Sequence, residues 1–265
     1  MSSDRTLRGL LLILTSLFWI ACSVREDRTD CPCLLGLDFT ALDASSLSAA
    51  GYGELSWAVR TGDFCLAGRI PLDELPSEHW IEVPREALSV SVMAGDEGLY
   101  DPSGTLLIPE GSPCPRLLCF SAEADGSLPE VKVPVVLHKR FARLDVDLGD
   151  LVQDGTTFSL IGGVEGYGPG FDPLPGPFRV PMLPDGEGWC HTAVPAQRDG
   201  SLCLCVYRFG ELERIFSLGE YILDSGYDWQ AEELEDIRME IDYVLGAVRF
   251  KVEQWSKTLY FFVAV

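Results

Sequence analysis

The first residues in this chain able to do chemistry are Ala21 and Cys22. A small residue directly before a cysteine, at the end of an apolar run, is what a lipoprotein signal peptidase needs to leave the Cys22 thiol acylated on a new N-terminus. Arg5 and Arg8 supply the positive start of such a signal, and residues 10–20 its apolar middle, which is too short to span a bilayer as a helix. Residues 1–21 are therefore read as a lipoprotein signal peptide and Cys22 as the lipidation site, with palmitate-type chains tying the protein to a membrane. Trp19 stands where such signals usually carry Leu. An ordinary cleaved signal, with Cys22 incidental, and a retained membrane helix compete with this reading. Flanks and length favour the anchor.

Residues 22–33 then read as the lipidated cysteine and a tether. Its stretch 25–30 is charged and has nothing apolar to bury, so a disordered spacer between membrane and fold is expected. The Glu26-Asp27 pair is similar to the short acidic signals that send some lipoproteins of anaerobic Gram-negative bacteria to the outer face of the outer membrane; a solvated linker accounts for the same residues. The expected location is the outer membrane, at the cell surface.

The other reactive side chains do not assemble into a catalytic pattern. Of nine cysteines, eight remain after Cys22, among them the pairs Cys31/Cys33 and Cys203/Cys205. Structural zinc sites favour two to four residues between cysteines, and an exported chain offers disulfide chemistry instead. Cys203 and Cys205 lie at strand spacing on one face, where a thiol behaves as a small apolar group. Buried thiols or disulfides are expected, with connectivity open. Asp145, Asp147 and Asp150 fail the calcium-loop register, which places Gly149 and Thr156 where ligands belong, so they read as a solvated strand face. Histidines 79, 138 and 191 share no ligand spacing, and neither Gly-x-Ser-x-Gly nor His-Glu-x-x-His occurs. With 41 Asp plus Glu, the presence of carboxylates says little about glycoside hydrolysis. Six tryptophans could build a sugar-stacking platform, although strand tryptophans more often fill cores. The chain is read as no enzyme, with no catalytic residues, no metal and no cofactor.

The elements that must position these groups are strands. The 265 residues carry a formal charge of −21, which repels phosphate backbones and anionic lipid, so no nucleic-acid partner is expected and membrane attachment falls to the lipid. From residue 34 onward, short alternating runs are separated by Gly, Pro, Asp and Ser clusters, the pattern of all-β sandwiches. Leu88, Val90, Val92 and Ala94 alternate most clearly in the first half, and Ala142, Leu144, Val146 and Leu148 in the second. Pro134 interrupts a strand-like run and marks a boundary between an N-terminal sandwich, 34–133, and a C-terminal one, 134–265. The Gly/Pro-dense passage 162–184 is expected to be a long surface loop, since no phosphate-cradle Lys or helix follows its glycines. Asp228 is expected to cap one short helix through Trp229 and Leu234 in the second sandwich.

Three stretches together resemble the FimB-like family of fimbrial anchor lipoproteins, the base subunits of type V pili in oral and gut Gram-negative anaerobes. The first is Cys22 with its tether into Asp30-Cys-Pro-Cys-Leu-Leu-Gly-Leu-Asp-Phe39. The second is Val194-Pro-Ala-Gln-Arg-Asp-Gly-Ser-Leu-Cys-Leu-Cys-Val-Tyr207. The third and most specific is Leu218-Gly-Glu-Tyr-Ile-Leu-Asp-Ser-Gly-Tyr-Asp-Trp-Gln-Ala-Glu-Glu-Leu-Glu-Asp-Ile-Arg-Met-Glu-Ile-Asp-Tyr243, followed by Val252-Glu-Gln-Trp255. The resemblance is patchy in the first half and near-continuous over residues 193–255. It implies two transthyretin-like sandwiches, no catalysis, and a role in holding a pilus to the outer membrane and limiting its length, with pilin subunits as partners.

The terminal run 259–265 has no charged or prolyl gatekeeper. Tyr260, Phe261, Phe262, Val263 and Val265 are the candidate partner-binding residues, joining a pilin by β-strand addition. The competing expectation is that the run is simply the last core strand. A surface glycan-binding lipoprotein of a polysaccharide-uptake system is the alternative function; fimbrillin-like neighbouring genes favour the anchor, and transporter and glycoside hydrolase neighbours the glycan binder.

Overall fold

Alternation turns into strands in this chain because alternate side chains fall on opposite faces and one face can be buried. The computed structural model describes residues 31–95, 98–101, 104–244, 247–253 and 258–264, the strands from residue 242 onward by backbone alone. The leader, Cys22 and most of the tether lie outside the described residues.

The first half contains β1 (Cys33–Asp38), α1 (Ala44–Ala49), β2 (Glu54–Thr61), β3 (Phe64–Pro71), β4 (Glu78–Val83), β5 (Ala87–Ala94), β6 (Leu106–Leu107), β7 (Leu118–Asp125), β8 (Glu130–Pro134) and β9 (His138–Lys139). They form a β4-β1-β8 sheet facing a β3-β2-β5-β7-β9 sheet, with β1 and β8 parallel and the other pairs antiparallel. Between them lies one core, in which Leu35, Leu37, Leu55, Val59, Leu88, Val90 and Val92 are fully buried.

The second half contains β10 (Phe141–Asp147), β11 (Thr156–Tyr167), β12 (Pro173–Met182), β13 (Trp189–Pro195), β14 (Cys203–Arg208), β15 (Glu211–Phe216), α2 (Leu218–Asp224), β16 (Ile237–Val244), β17 (Ala247–Glu253) and β18 (Thr258–Ala264). A β13-β10-β16-β17-β18 sheet faces a β12-β11-β14-β15 sheet. Leu144, Val146, Leu160, Leu204 and Met239 are fully buried between them. The architecture is all-β, as the alternation predicts.

Two expectations are corrected. No helix forms from Asp228 to Leu234. Asp228 Oδ1 instead accepts from Gln230 N (2.8 Å) in a turn, while Tyr227 and Trp229 are both buried and meet edge-on at 4.6 Å. Positions two apart fall on opposite sides of a helix, so an irregular backbone is what lets both rings enter one core. The helix of this region is α2, just upstream, and α1 adds one in the first half, where Asp43 Oδ1 accepts from Ser45 N (3.1 Å) and Ser46 N (3.2 Å).

The passage 162–184 is not a loop. It makes most of the β11–β12 hairpin, with register shifts at Gly162/Val164 and Val164/Gly166. Its prolines, Pro173, Pro175, Pro177 and Pro181, lie in β12, an edge strand, where a missing N–H costs least. The glycines make room: a Cβ on Gly166 would stand 2.0 Å from Leu106 O, the backbone of β6, which pairs with this end of β11.

Candidate functional site

The candidate partner-binding run lies in β18, the outermost strand of the five-stranded sheet, bonded to β17 on one side. Register sets Phe261 opposite Phe250 and then Ile241, and Leu259 opposite Val252 and then Met239. Ile241 and Met239 are buried in the second core, so Leu259, Phe261 and Val263 belong to the core-side face of the sheet. Tyr260 and Phe262 fall on the other face, in rows with Lys251 and Glu240, and with Arg249 and Asp242. Val265 lies outside the described residues.

Chemically, the edge offers hydrogen bonding rather than a reaction. Alternate residues of an edge strand turn N–H and C=O away from the sheet, ready for an added strand. β18 contains no Lys, Arg, Asp, Glu or Pro to blunt this, and β17 beneath it contributes Arg249 and Lys251.

Away from that edge, the two halves meet at a junction made by β6, β11, β12 and β13. Residues 104–117 run over the second sandwich: Leu106 is buried in the second core, Ile108 N donates to Glu165 O (2.9 Å), Gly111 N to Arg179 O (3.0 Å) and Cys114 N to Ala193 O (3.0 Å). In the opposite direction, the tip of the β11–β12 hairpin reaches back toward β7, with Phe171 buried at φ +65° and its carbonyl accepting from Arg140 Nη2 (3.4 Å). Tyr167 sits at the centre, fully buried. Its hydroxyl donates to Arg140 O and accepts from Ala196 N (2.8 Å), and burial first, then the neighbouring Cys114, pushes its pKa well up, keeping it a neutral donor.

The remaining reactive groups are dispersed. Asp145 Oδ1 accepts from Arg143 Nε (2.9 Å) and pairs with His191 Nδ1 (2.7 Å), Asp147 Oδ1 accepts from Gly149 N (3.0 Å), and Asp150 offers its backbone carbonyl to Gln153 Nε2 (2.9 Å). His138 lies between Glu232 (3.1 Å) and Glu233 (3.3 Å), while His79 packs on Trp57, its pKa lowered by burial. Among the described residues no group of three or more His, Cys, Asp and Glu is placed to hold a metal. Cys33, Cys114, Cys190 and Cys205 are buried thiols. Burial raises Cys33 and Cys114 and pushes Cys190 up to about 12, which keeps them protonated and poor as ligands or nucleophiles. The sequence reading missed the crossing of β6 and the hairpin clasp; its one available signal was glycine within strand-like runs, which marks close backbone approach.

No family model and no curated protein sequence matches the chain. Solved structures do share its fold. The fimbrial anchor protein Mfa2 from Porphyromonas gingivalis superposes with a TM-score of 0.56 at 13% identity, over 85% of this chain and 98% of that one. A putative adhesin from Bacteroides ovatus gives 0.56 at 13% identity, over 90% and 97%. A putative adhesin from Bacteroides thetaiotaomicron gives 0.50 at 13% identity, over 86% and 98%. At this identity the likeness is one of fold, and it spans nearly the whole length of each neighbour.

Proposed function

We propose that this chain is the base subunit of a fimbria, held at the cell surface by lipid on Cys22 and joined to a pilin-type subunit by strand addition along β18, its units dividing at 133/134. The observation that carries the proposal is the edge of β18, an uncharged, proline-free strand that among the described residues ends a five-stranded sheet and pairs with β17 alone. A fold shared with a protein described as a fimbrial anchor supports it, as do the sequence stretches around Cys22 and over residues 193–255. In such an arrangement main-chain hydrogen bonds supply affinity and alternate side chains, Tyr260 and Phe262 on one face and Phe261 and Val263 on the other, supply fit.

The test is deletion of residues 260–265 in cells making the cognate pilin. The truncated protein is expected to fold, because an edge strand bonded on one side is the least costly to lose, to stay in the membrane fraction and to carry no pilin. Pilin capture at the normal level by the truncated protein would sink the reading. Separately, Cys22→Ala is expected to abolish labelling by a clickable fatty acid and release the protein; equal labelling of the variant would remove the lipid anchor.

A further inference from the structure

The outer face of the β4-β1-β8 sheet carries a tryptophan laid flat and turned to solvent. Register arranges that face in rows: Glu82, Leu34 and Glu130; then Trp80, Gly36 and Lys132; then Glu78, Asp38 and Pro134. Gly36 is the reason Trp80 lies flat. A Cβ there would stand 2.7, 2.8 and 2.9 Å from Cζ3, Cη2 and Cε3 of the indole, so the ring rests on the bare backbone of β1. Trp80 Nε1 donates to Glu78 Oε2 (3.2 Å), Glu78 Oε1 accepts from Lys132 Nζ (2.6 Å), and that ammonium stands over the indole ring at 5.8 Å from its centroid.

The same device occurs inside the protein, where Trp57 lies on Gly68 and fills the core at 8% exposure. Trp80 instead keeps 36% of its surface in water, and Leu34 beside it 38%. Trp229 is buried, and Trp189 is covered by Arg238 at 4.0 Å.

From this geometry we propose that Trp80 is the floor of a binding platform for a neutral oligosaccharide, a function separate from the strand edge. An aromatic face is the negative end of a quadrupole, and the axial C–H groups of a pyranose are the positive edge that stacks on it. The ring hydroxyls need charged acceptors and a donor alongside. Glu82 and Glu130 in the next row supply the acceptors, and Lys132 the donor. The pinned indole loses little freedom when a sugar settles on it. The surrounding carboxylates repel uronates, sulfated sugars and phosphates, which selects neutral sugars.

The test uses the full chain in detergent, titrated with neutral oligosaccharides of glucose, xylose, mannose and N-acetylglucosamine up to about 10 mM, a range suited to a weak site, with polygalacturonate as the anionic control. Saturation-transfer NMR reads contact and calorimetry reads affinity. At least one neutral oligosaccharide is expected to bind and polygalacturonate to fail. Trp80→Ala is expected to weaken binding at least tenfold, Trp80→Phe by less, and Lys132→Ala and Glu82→Gln severalfold each at an unchanged thermal transition. Absence of binding by every neutral sugar overturns the proposal, and so does full affinity in Trp80→Ala. If Trp80→Ala fails to fold, unchanged affinity in both Lys132→Ala and Glu82→Gln overturns it equally. Loss of pilin capture in these variants without any sugar binding would mark the face as a protein contact and also overturn it.

Discussion

The two sandwiches thread the chain along one route. β1, β2, β3, β4, β5, β7 and β8 occupy the places that β10, β11, β12, β13, β14, β15 and β16 occupy in the second, down to a parallel pairing of first strand with last, β1 with β8 and β10 with β16. They part company at the end of that route. In the first sandwich β8 is left at the sheet edge, and its sequence Glu130-Val-Lys-Val-Pro134 puts a lysine and a proline there, the usual devices against unwanted pairing. In the second, β17 and β18 are added beyond β16, and the edge moves to a strand with neither device. At this point of the shared route, one sandwich thus carries a blunted edge and the other an edge without those devices. The lesson is that the edge without them belongs to an addition and is not a consequence of the architecture.

The largest test of this equivalence is in the cores. Leu35 and Leu144 hold corresponding strands, β1 and β10, and neither is exposed at all. Each Leu→Ala change is expected to cost about 2–5 kcal/mol. Urea unfolding followed by fluorescence measures it, with near-equal losses if the sandwiches are equals. A loss confined to one variant would break the comparison and name the sandwich that carries the stability.

A smaller effect is expected where the two halves clasp. Gly166→Val in β11 drives a side chain into the carbonyl of Leu106 and should cost roughly 1–3 kcal/mol while freeing residues 104–117. Limited proteolysis is the measurement: new cleavage within that segment is expected, and an unchanged digestion pattern would mean that β6 does not hold the halves together.

The smallest is a pH effect at α1 of the first sandwich. Hydroxyls of Ser45 and Ser46, with their backbone N–H groups, hold the Asp43 carboxyl down to about 2 from an ordinary 3.8. A depressed folded value means that this cap stabilises α1 fully above 3.8 and is lost as pH falls toward 2. In the corresponding connection of the second sandwich, the turn Gly149–Leu151, Leu148 gives no side-chain cap and a single bond, from Gly149 N to Asp147 Oδ1, takes its place. Amide exchange is therefore expected to quicken between pH 4 and 2 by more at residues 44–49 than at 149–151. Asp43→Ala should remove the pH dependence, and its persistence in that variant would assign the titration elsewhere.

Much of the fold was legible because it rests on a local code. Alternation at Leu88, Val90 and Val92, or at Ala142, Leu144 and Val146, is a period-2 pattern that only a half-buried strand satisfies, and each of these residues is buried. The absence of gatekeepers in 258–264 was likewise plain from residue types. Prolines and glycines between 162 and 184 misled because their local meaning is a turn. Whether Pro175 breaks a strand depends on whether its missing N–H faces a neighbour or the open side of an edge, and no local pattern records that. The helix expected at Asp228 failed for a related reason, since burial of both Tyr227 and Trp229 outweighed a favourable cap.

By itself, then, the sequence determined the strand content, the acidic net charge, and a run over 258–264 free of charge and proline, since composition and period act within a few residues of chain. Tertiary structure alone decided that β18 is an edge, that β6 crosses to β11, and that Trp57 on Gly68 faces a core while Trp80 on Gly36 faces water. Each of those outcomes depends on which distant strand lies alongside, and pairing is set by burial summed over the whole sheet rather than by the residues of any one strand.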